Sequence, residues 1–265
     1  EIAPGEVIGL LGMNGAGKST LIQAMLGLIE VEMGEVSILG EDRYHMPDDV
    51  KERIGYVPQS FDEPNWLTVQ QLFDLKASFY RHWDKNKVEE LMTRWQLSSH
   101  AKLGKLSQGQ QQRVMLICAF AHNPDLLILD EPVSALDPAG RRDFLKEIIE
   151  LASEGEKTVL FSTHITADVE RVASKVAILH EGVIKCYEDL DDLKEKVVAF
   201  TIHEKDGHCI SEAIPNAIVV EKQGQRLKTI VDGVDEAWLS SVRQTGADIE
   251  SQTMNLEDIF LRLTQ

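Results

Sequence analysis

Apolar residues along this chain come in short blocks whose spacing switches between two patterns. "EVIGLLG" (residues 6–12) is a compact apolar run closed by glycine, the signature of a buried strand. The polar, glycine-rich "MNGAGKST" follows, and then "LIQAMLGLI", apolar at helical spacing. "GEVSILGED" and "RIGYVPQS" read as two more short strands, the second ended by Pro58. Residues 60–123 change character: Trp66, Phe73, Phe79, Trp83 and Trp95 lie among charges at helical spacing, which predicts a mostly helical insert. "DLLILDEP", "TVLFSTH" and "KVAILHEG" are again continuous apolar strands, separated by helical patterns such as "PAGRRDFLKEIIELASEG". Buried strands alternating with amphipathic helices predict an α/β fold with a parallel sheet.

The pattern changes again near residue 188. "EDLDDLKEKV" is acidic and helical, a linker helix with a solvated face. Beyond it the residues alternate, with hairpin signals at Asp206-Gly207 and Gln223-Gly224, and "LEDIFLRLT" closes the chain as a helix. Residues 196–265 therefore read as a small α+β appendage to a first domain over residues 1–190.

Composition narrows the function. The 265 residues carry a formal charge of -17, which disfavours charge-driven nucleic-acid binding. No apolar run approaches the roughly 18 residues of a membrane span. Three cysteines without close spacing suit a reduced protein without a zinc or disulfide framework. His203, His208 and Cys209 straddle the first hairpin signal and lack a fourth ligand, so packing outweighs metal binding there. The chain opens at Glu1 and enters a strand pattern almost at once, as a sequence without its natural beginning would.

Four strand ends carry candidate chemistry. Gly12, Gly17, Lys18 and Ser19 fit G-x-x-x-x-G-K-[ST], in the required place after a strand and before a helix. Such a loop, here Gly12 to Thr20 with Asn14, Gly15 and Ala16 inside it, turns backbone N–H groups onto phosphate oxygens. Lys18 supplies a point charge near the β- and γ-phosphates, and Ser19 a hydroxyl for Mg²⁺. Asp130 and Glu131 follow the strand "LLIL", where α/β folds bind ligands; Asp130 suits the metal, and Glu131 suits an attacking water. His164 and Gln59 also follow strands, placed to touch a γ-phosphate, a metal or that water, although each alone is an ordinary strand-end residue. A second anion-binding feature is "KLSQGQQQR", a serine and a glycine before a helix that starts near Gln110.

The ordered set Lys18, Gln59, "LSQGQ", "LLILDEP", "SALD" and His164 resembles the ATP-binding cassette of ABC transporters over about residues 1–190. The resemblance implies a P-loop NTPase sheet with a helical subdomain at about 60–123, preceded by antiparallel strands that this chain lacks. An incomplete subdomain with an exposed edge is therefore expected around "EVSILGED", and no aromatic residue precedes the P-loop strand to stack on adenine. The resemblance also implies ATP and Mg²⁺ as cofactors and a head-to-tail pair of cassettes. In that pair Ser107, Gly109 and Gln110 of one copy close on the nucleotide of the other, and Asp137 couples the two half-sites. Gln108, Met13 and Val133 stand where the family more often has Gly, Pro and Thr. Both half-sites are intact, which allows a homodimer and leaves a heterodimer open. The end of the chain is similar to single-cassette exporter ATPases, and "YRHWDKNKVEELMTRWQL" to a bacterial branch encoded beside GntR-type regulators. A polytopic permease would then be the membrane partner, with the chain peripheral on the cytoplasmic face of the cell membrane and Trp66 and Phe61 near the contact. A soluble mechanochemical ABC-type ATPase is the alternative, disfavoured by one cassette and net negative charge. A P-loop metabolite kinase leaves "LSQGQ" and "SALD" unexplained.

Overall fold

The computed structural model describes residues 1–153, 157–204 and 213–264. They group into two compact units, Glu1–Ile184 and Lys185–Gln265. In the first, β1 (Val7–Leu11) is buried along its whole length, as a continuous apolar run demands. The P-loop leads from it into α1 (Lys18–Met25). "GEVSILGED" is not one strand but a tight ribbon of β2 (Ser37–Ile38) and β3 (Glu41–Asp42). The turn residues Leu39 and Gly40 have φ of 52° and 90°, a hairpin geometry that the short apolar pattern hides. α2 (Asp48–Lys51) and β4 (Ile54–Val57) follow.

The insert is helical: α3 (Val69–Ala77), α4 (Lys85–Arg94), a 3₁₀ turn at Leu103–Lys105, and α5 (Gln108–Ala121). Leu72, Leu91 and Leu103 are fully buried, and so is Trp95 but for 3% of its surface. Glu147 of α6 (Pro138–Ser153) ties this insert to the rest of the unit. Its buried carboxylate meets Lys87 Nζ at 2.9 Å and pairs with Arg94, both from α4. A carboxylate so far from water stays charged only with such partners.

β5 (Leu126–Leu129), β6 (Thr158–Thr163), α7 (Thr166–Val172), β7 (Lys175–His180) and β8 (Val183–Asp189) complete the unit, β8 running across the division. β8 was not evident in the sequence. It follows a two-residue turn in which Glu181 and Gly182 both have positive φ. The sheet order is β4-β5-β6-β1-β7-β8, and β4, β5, β6, β1 and β7 pair in parallel. The carboxyl ends of β4, β5, β6 and β1 therefore lie side by side.

The second unit holds α8 (Leu190–Lys196), β9 (Val197–His203), β10 (Ala217–Gln223), β11 (Arg226–Asp232), α9 (Glu236–Gln244), β12 (Asp248–Thr253) and α10 (Leu256–Leu263). Its sheet is antiparallel, in the order β10-β11-β9-β12. Leu239 and Val242 of α9 pack on Phe200, Ile202, Leu227 and Val231. The Gln223-Gly224 signal falls at the β10–β11 turn, whose Gly224 has a φ of 62°. The Asp206-Gly207 signal, His208 and Cys209 lie outside the described residues.

Gly55 lets β4 lie flush against α5. A Cβ there would sit 2.8 Å from Leu127 Cδ1 and 2.9 Å from the Ala119 carbonyl oxygen, which is backbone and cannot step aside. Gly55→Ala is expected to cost about 1–3 kcal/mol through overpacking, read as a lower midpoint in denaturant unfolding.

Candidate functional site

Four neighbouring strand ends supply the polar residues of one edge. After β1, Gly15 and Gly17 take φ of 82° and 103°, and Gly17 caps α1 without a side chain. The first N–H groups of α1 are thus left for an anion. Gly12 is forced by space: a Cβ would lie 2.7 Å from the Leu179 carbonyl oxygen. Asn14, Gly15 and Thr20 are exposed along the loop, while Ala16 and Lys18 are buried. Lys18 Nζ donates to the carbonyls of Gly12 at 2.8 Å and Met13 at 3.2 Å, and pairs with Glu131 Oε1 at 3.0 Å.

Glu131 follows β5 with a φ of 48°, a left-handed backbone rare for this residue type. Its N–H donates to Ser162 Oγ at 2.8 Å, and its carbonyl accepts from Ser134 Oγ at 2.9 Å. These bonds hold the strained peptide and turn the carboxylate toward Lys18. Ser162 Oγ in turn donates to Asp130 Oδ1 at 2.7 Å. One hydroxyl of β6 thus holds both acidic residues that follow β5. Ser162 escaped the sequence reading, although a serine inside the buried run "LFST" is the signal that could have found it. His164, just after β6, donates from Nδ1 to Glu131 Oε2 at 3.1 Å. Gln59, after β4, reaches the P-loop, where Ser19 Oγ donates to its Oε1 at 3.4 Å.

The donor set suits a hard divalent cation. Asp130 is 1% exposed, and its Oδ2 is buried without a hydrogen-bond partner among the described residues. The Ser19 hydroxyl and the Gln59 amide oxygen stand beside each other, and oxygen ligands of this kind are those Mg²⁺ takes.

The remaining predicted residues form a second group. Ser107 is the N-cap of α5, which starts at Gln108 and not near Gln110. Ser107 Oγ accepts from the Gln110 N–H at 3.3 Å, and the Ser107 N–H donates to Gln110 Oε1 at 3.0 Å, a reciprocal capping box. A Cβ on Gly109 would lie 2.8 Å from the Ala135 carbonyl oxygen, so this helix start rests directly on the "SALD" segment. Asp137 caps α6 through the Gly140 N–H at 2.9 Å and pairs with Arg113 Nη2 at 2.8 Å. Gly140 leaves the room this needs, since a Cβ there would collide with the Arg113 guanidinium. Among the described residues, none of the hydrogen bonds of Ser107, Gln110 or Asp137 reaches the first group.

The sequence profile of the ABC transporter family matches residues 1–134. The chain belongs to the ABC transporter family. Among ABC proteins it is 32% identical to the uncharacterized ABC transporter ATP-binding protein YxlF of Bacillus subtilis, over 97% of this chain and 90% of that one. It is 31% identical to the Nod factor export ATP-binding protein I of Rhizobium etli, over 100% of this chain and 86% of the relative. The ABC cassette MJ0796, solved as a dimer in a post-hydrolysis state with ADP and Pi, is 28% identical. It superposes with a TM-score of 0.64 over 72% of this chain and 88% of its own. In this chain the P-loop follows β1, the acidic pair follows β5 and His164 follows β6, at one edge of one sheet.

Behind this edge, Arg141 Nε of α6 donates to Asp168 Oδ1 of α7 at 2.6 Å. Asp168 is 1% exposed, and its other oxygen is unpartnered among the described residues. Burial holds its carboxyl above the usual range, against the pull of Arg141. A raised folded value means that the folded state binds the extra proton, so stability falls as pH rises through that range. Arg141→Met removes the opposing charge and is expected to cost about 3 kcal/mol at neutral pH. The difference from the parent should shrink as pH falls and Asp168 becomes neutral; paired denaturant melts at neutral and acidic pH check this.

Proposed function

We propose that this chain is the ATP-hydrolysing subunit of a membrane exporter, working as a head-to-tail pair of cassettes beneath a separate polytopic permease. The observation that carries the proposal is the contact of Lys18 Nζ with Glu131 Oε1 at 3.0 Å, at the edge shared by β1 and β5. It brings a phosphate-binding cation and a general-base carboxylate to one point.

The P-loop amides and Lys18 bind the phosphates of ATP. Lys18 exchanges its present acceptors, the Gly12 and Met13 carbonyls and Glu131, for phosphate oxygens. Glu131 is then free to take a proton from water. The water oxygen attacks the γ-phosphorus in line, the bond to the β–γ bridging oxygen breaks, and ADP leaves with the electron pair. Mg²⁺ held by Ser19, Gln59 and Asp130 would neutralise phosphate charge during that step. His164 donates to Glu131 from Nδ1, so a further donation from Nε2 to the γ-phosphate takes the imidazolium form. From the facing copy, Ser107, Gly109 and Gln110 cover the γ-phosphate and Asp137 links the two sites. The Ser107 oxygen accepts from the Gln110 N–H, which leaves its own O–H to donate to phosphate. Binding closes the pair and hydrolysis reopens it.

The dimeric MJ0796 cassette supports the second-cassette partner, and the Nod factor export relative supports export. No helix among the described residues is long and apolar enough to cross a membrane, and the proposed exporter assigns the path to a separate permease. Trp66, 71% exposed on the loop between Gln59 and α3, offers a surface to that permease, with half-buried Phe61 earlier on the same loop. In this reading the chain works peripherally, on the cytoplasmic face of the cell membrane.

Glu131→Gln is expected to keep ATP binding while lowering phosphate release by about 10²-fold or more, and to accumulate an ATP-bound dimer visible by light scattering. Normal turnover in this variant would remove Glu131 from its role. The head-to-tail arrangement has its own test. Lys18→Ala and Ser107→Arg chains, each inactive alone, should recover part of the ATPase activity when mixed, because the mixed pair rebuilds one intact site. No recovery would place the signature loop on its own chain's nucleotide.

A further inference from the structure

Among the described residues β12 is the terminal strand of the second unit's sheet, paired on one side only, with β9, from Asp248↔His203 to Thr253↔Val198. All of it except Ile249 is exposed. Beside it opens a cleft of about 800 Å³. Val198, Phe200, Leu239 and Ile249 line it with apolar surface, and Glu236 and Arg243 bring exposed charges to it. α9 is joined to β12 by the short turn 245–247, and both line this cleft, so the helix runs back along the strand. Glu236, Leu239 and Arg243 form one stripe of α9, with the two charges about 10 Å apart along the axis.

We propose that the free edge of β12 and this cleft are a homodimerisation surface, on which a second copy of the unit adds its own β12 antiparallel with Ser251 on the two-fold axis. A two-fold contact must be self-complementary, and this surface is. The axis lays the two α9 helices antiparallel on the same face, bringing each Glu236 toward the other copy's Arg243. Neither side chain has an ion-pair partner among the described residues of its own chain.

The register follows from charge. Opposed residues of antiparallel strands share a sheet face, so a symmetric pairing is centred on a residue. Centring on Glu250 opposes two carboxylates, and centring on Ile249 sets Asp248 against Glu250. Like charges directly opposed destabilise a pair. Centring on Ser251 sets Glu250 against Gln252 and Ile249 against Thr253. It is the longest register that opposes no carboxylates. It also joins the two clefts across the axis, covering the apolar side chains that line them.

The contact needs neither nucleotide nor P-loop, so it is tested in the full-length Lys18→Ala chain without ATP. Failure of the proposed ATPase mechanism leaves it untouched. Cys186 and Cys209 are first changed to serine. Cys118 stays, because burial pushes its thiol up to about 12 and keeps it unreactive. Under mild oxidation Ser251→Cys should give a disulfide-linked dimer, while Glu221→Cys on the opposite edge strand β10 should not. In sedimentation, Glu236→Arg should weaken the dimer by about tenfold or more, and adding Arg243→Glu should restore it. A parent chain that stays monomeric at tens of micromolar would overturn the proposal. So would equal cross-linking at 221 and 251, or a double swap that fails to recover the dimer.

Discussion

The first unit depends on one buried pair of opposite charges. Lys18 and Glu131 meet at 3.0 Å, with side chains only 6% and 5% exposed. A lone ammonium or carboxylate at that depth would be too costly to keep charged. Each makes the other's position tolerable, and each needs its own scaffold. Lys18 is aimed by the tight P-loop after β1, whose carbonyls satisfy its remaining protons. Glu131 is aimed by a left-handed backbone after β5, itself pinned by Ser162 of β6. Three strands therefore have to pair in the register observed, Leu11 beside Thr163 and Leu129 beside Phe161, before the two charges can meet.

The same pair is a store of exchangeable contacts. A phosphate arriving at the P-loop can replace the Gly12 and Met13 carbonyls and the Glu131 carboxylate around Lys18 without leaving the ammonium unpartnered. The exchange is near-balanced for the lysine and one-sided for the glutamate, which loses a cation and gains freedom to accept a proton. In the proposed mechanism that asymmetry links phosphate binding to readiness for water attack.

What could be read from the sequence was what local composition encodes. The apolar runs ending at Leu11, Leu129 and Thr163 announce buried strands, and the glycines and polar residues after them announce the edge where Lys18, Glu131 and His164 gather. What could not be read were pairings between residues far apart in the chain. Arg113 with Asp137, Arg141 with Asp168, and Lys87 with Glu147 each join helices that carry no local sign of being neighbours. Turn chemistry misled at "GEVSILGED", where Leu39, an unusual residue for positive φ, folds the run into a ribbon. β8, α9 and β12 lack strong apolar runs. The first is largely exposed at its start, and the last is polar along an open edge.

The residue types of "LSQGQ" answer to two demands that only look like one. Gly109 is required within the chain, because the Ala135 carbonyl leaves no room for a Cβ. Gln110 is also occupied within the chain, closing the capping box on Ser107. Gln108, between Ser107 and Gly109, is exposed, and an exposed position can take a glutamine where the family more often has glycine. Only the Ser107 hydroxyl proton and the open face of the first helical turn remain for a ligand. A helix end with one hydroxyl and no lysine in its first turn is a weak anion site. Such a site serves better as a cover for phosphate already bound elsewhere than as the place that captures it.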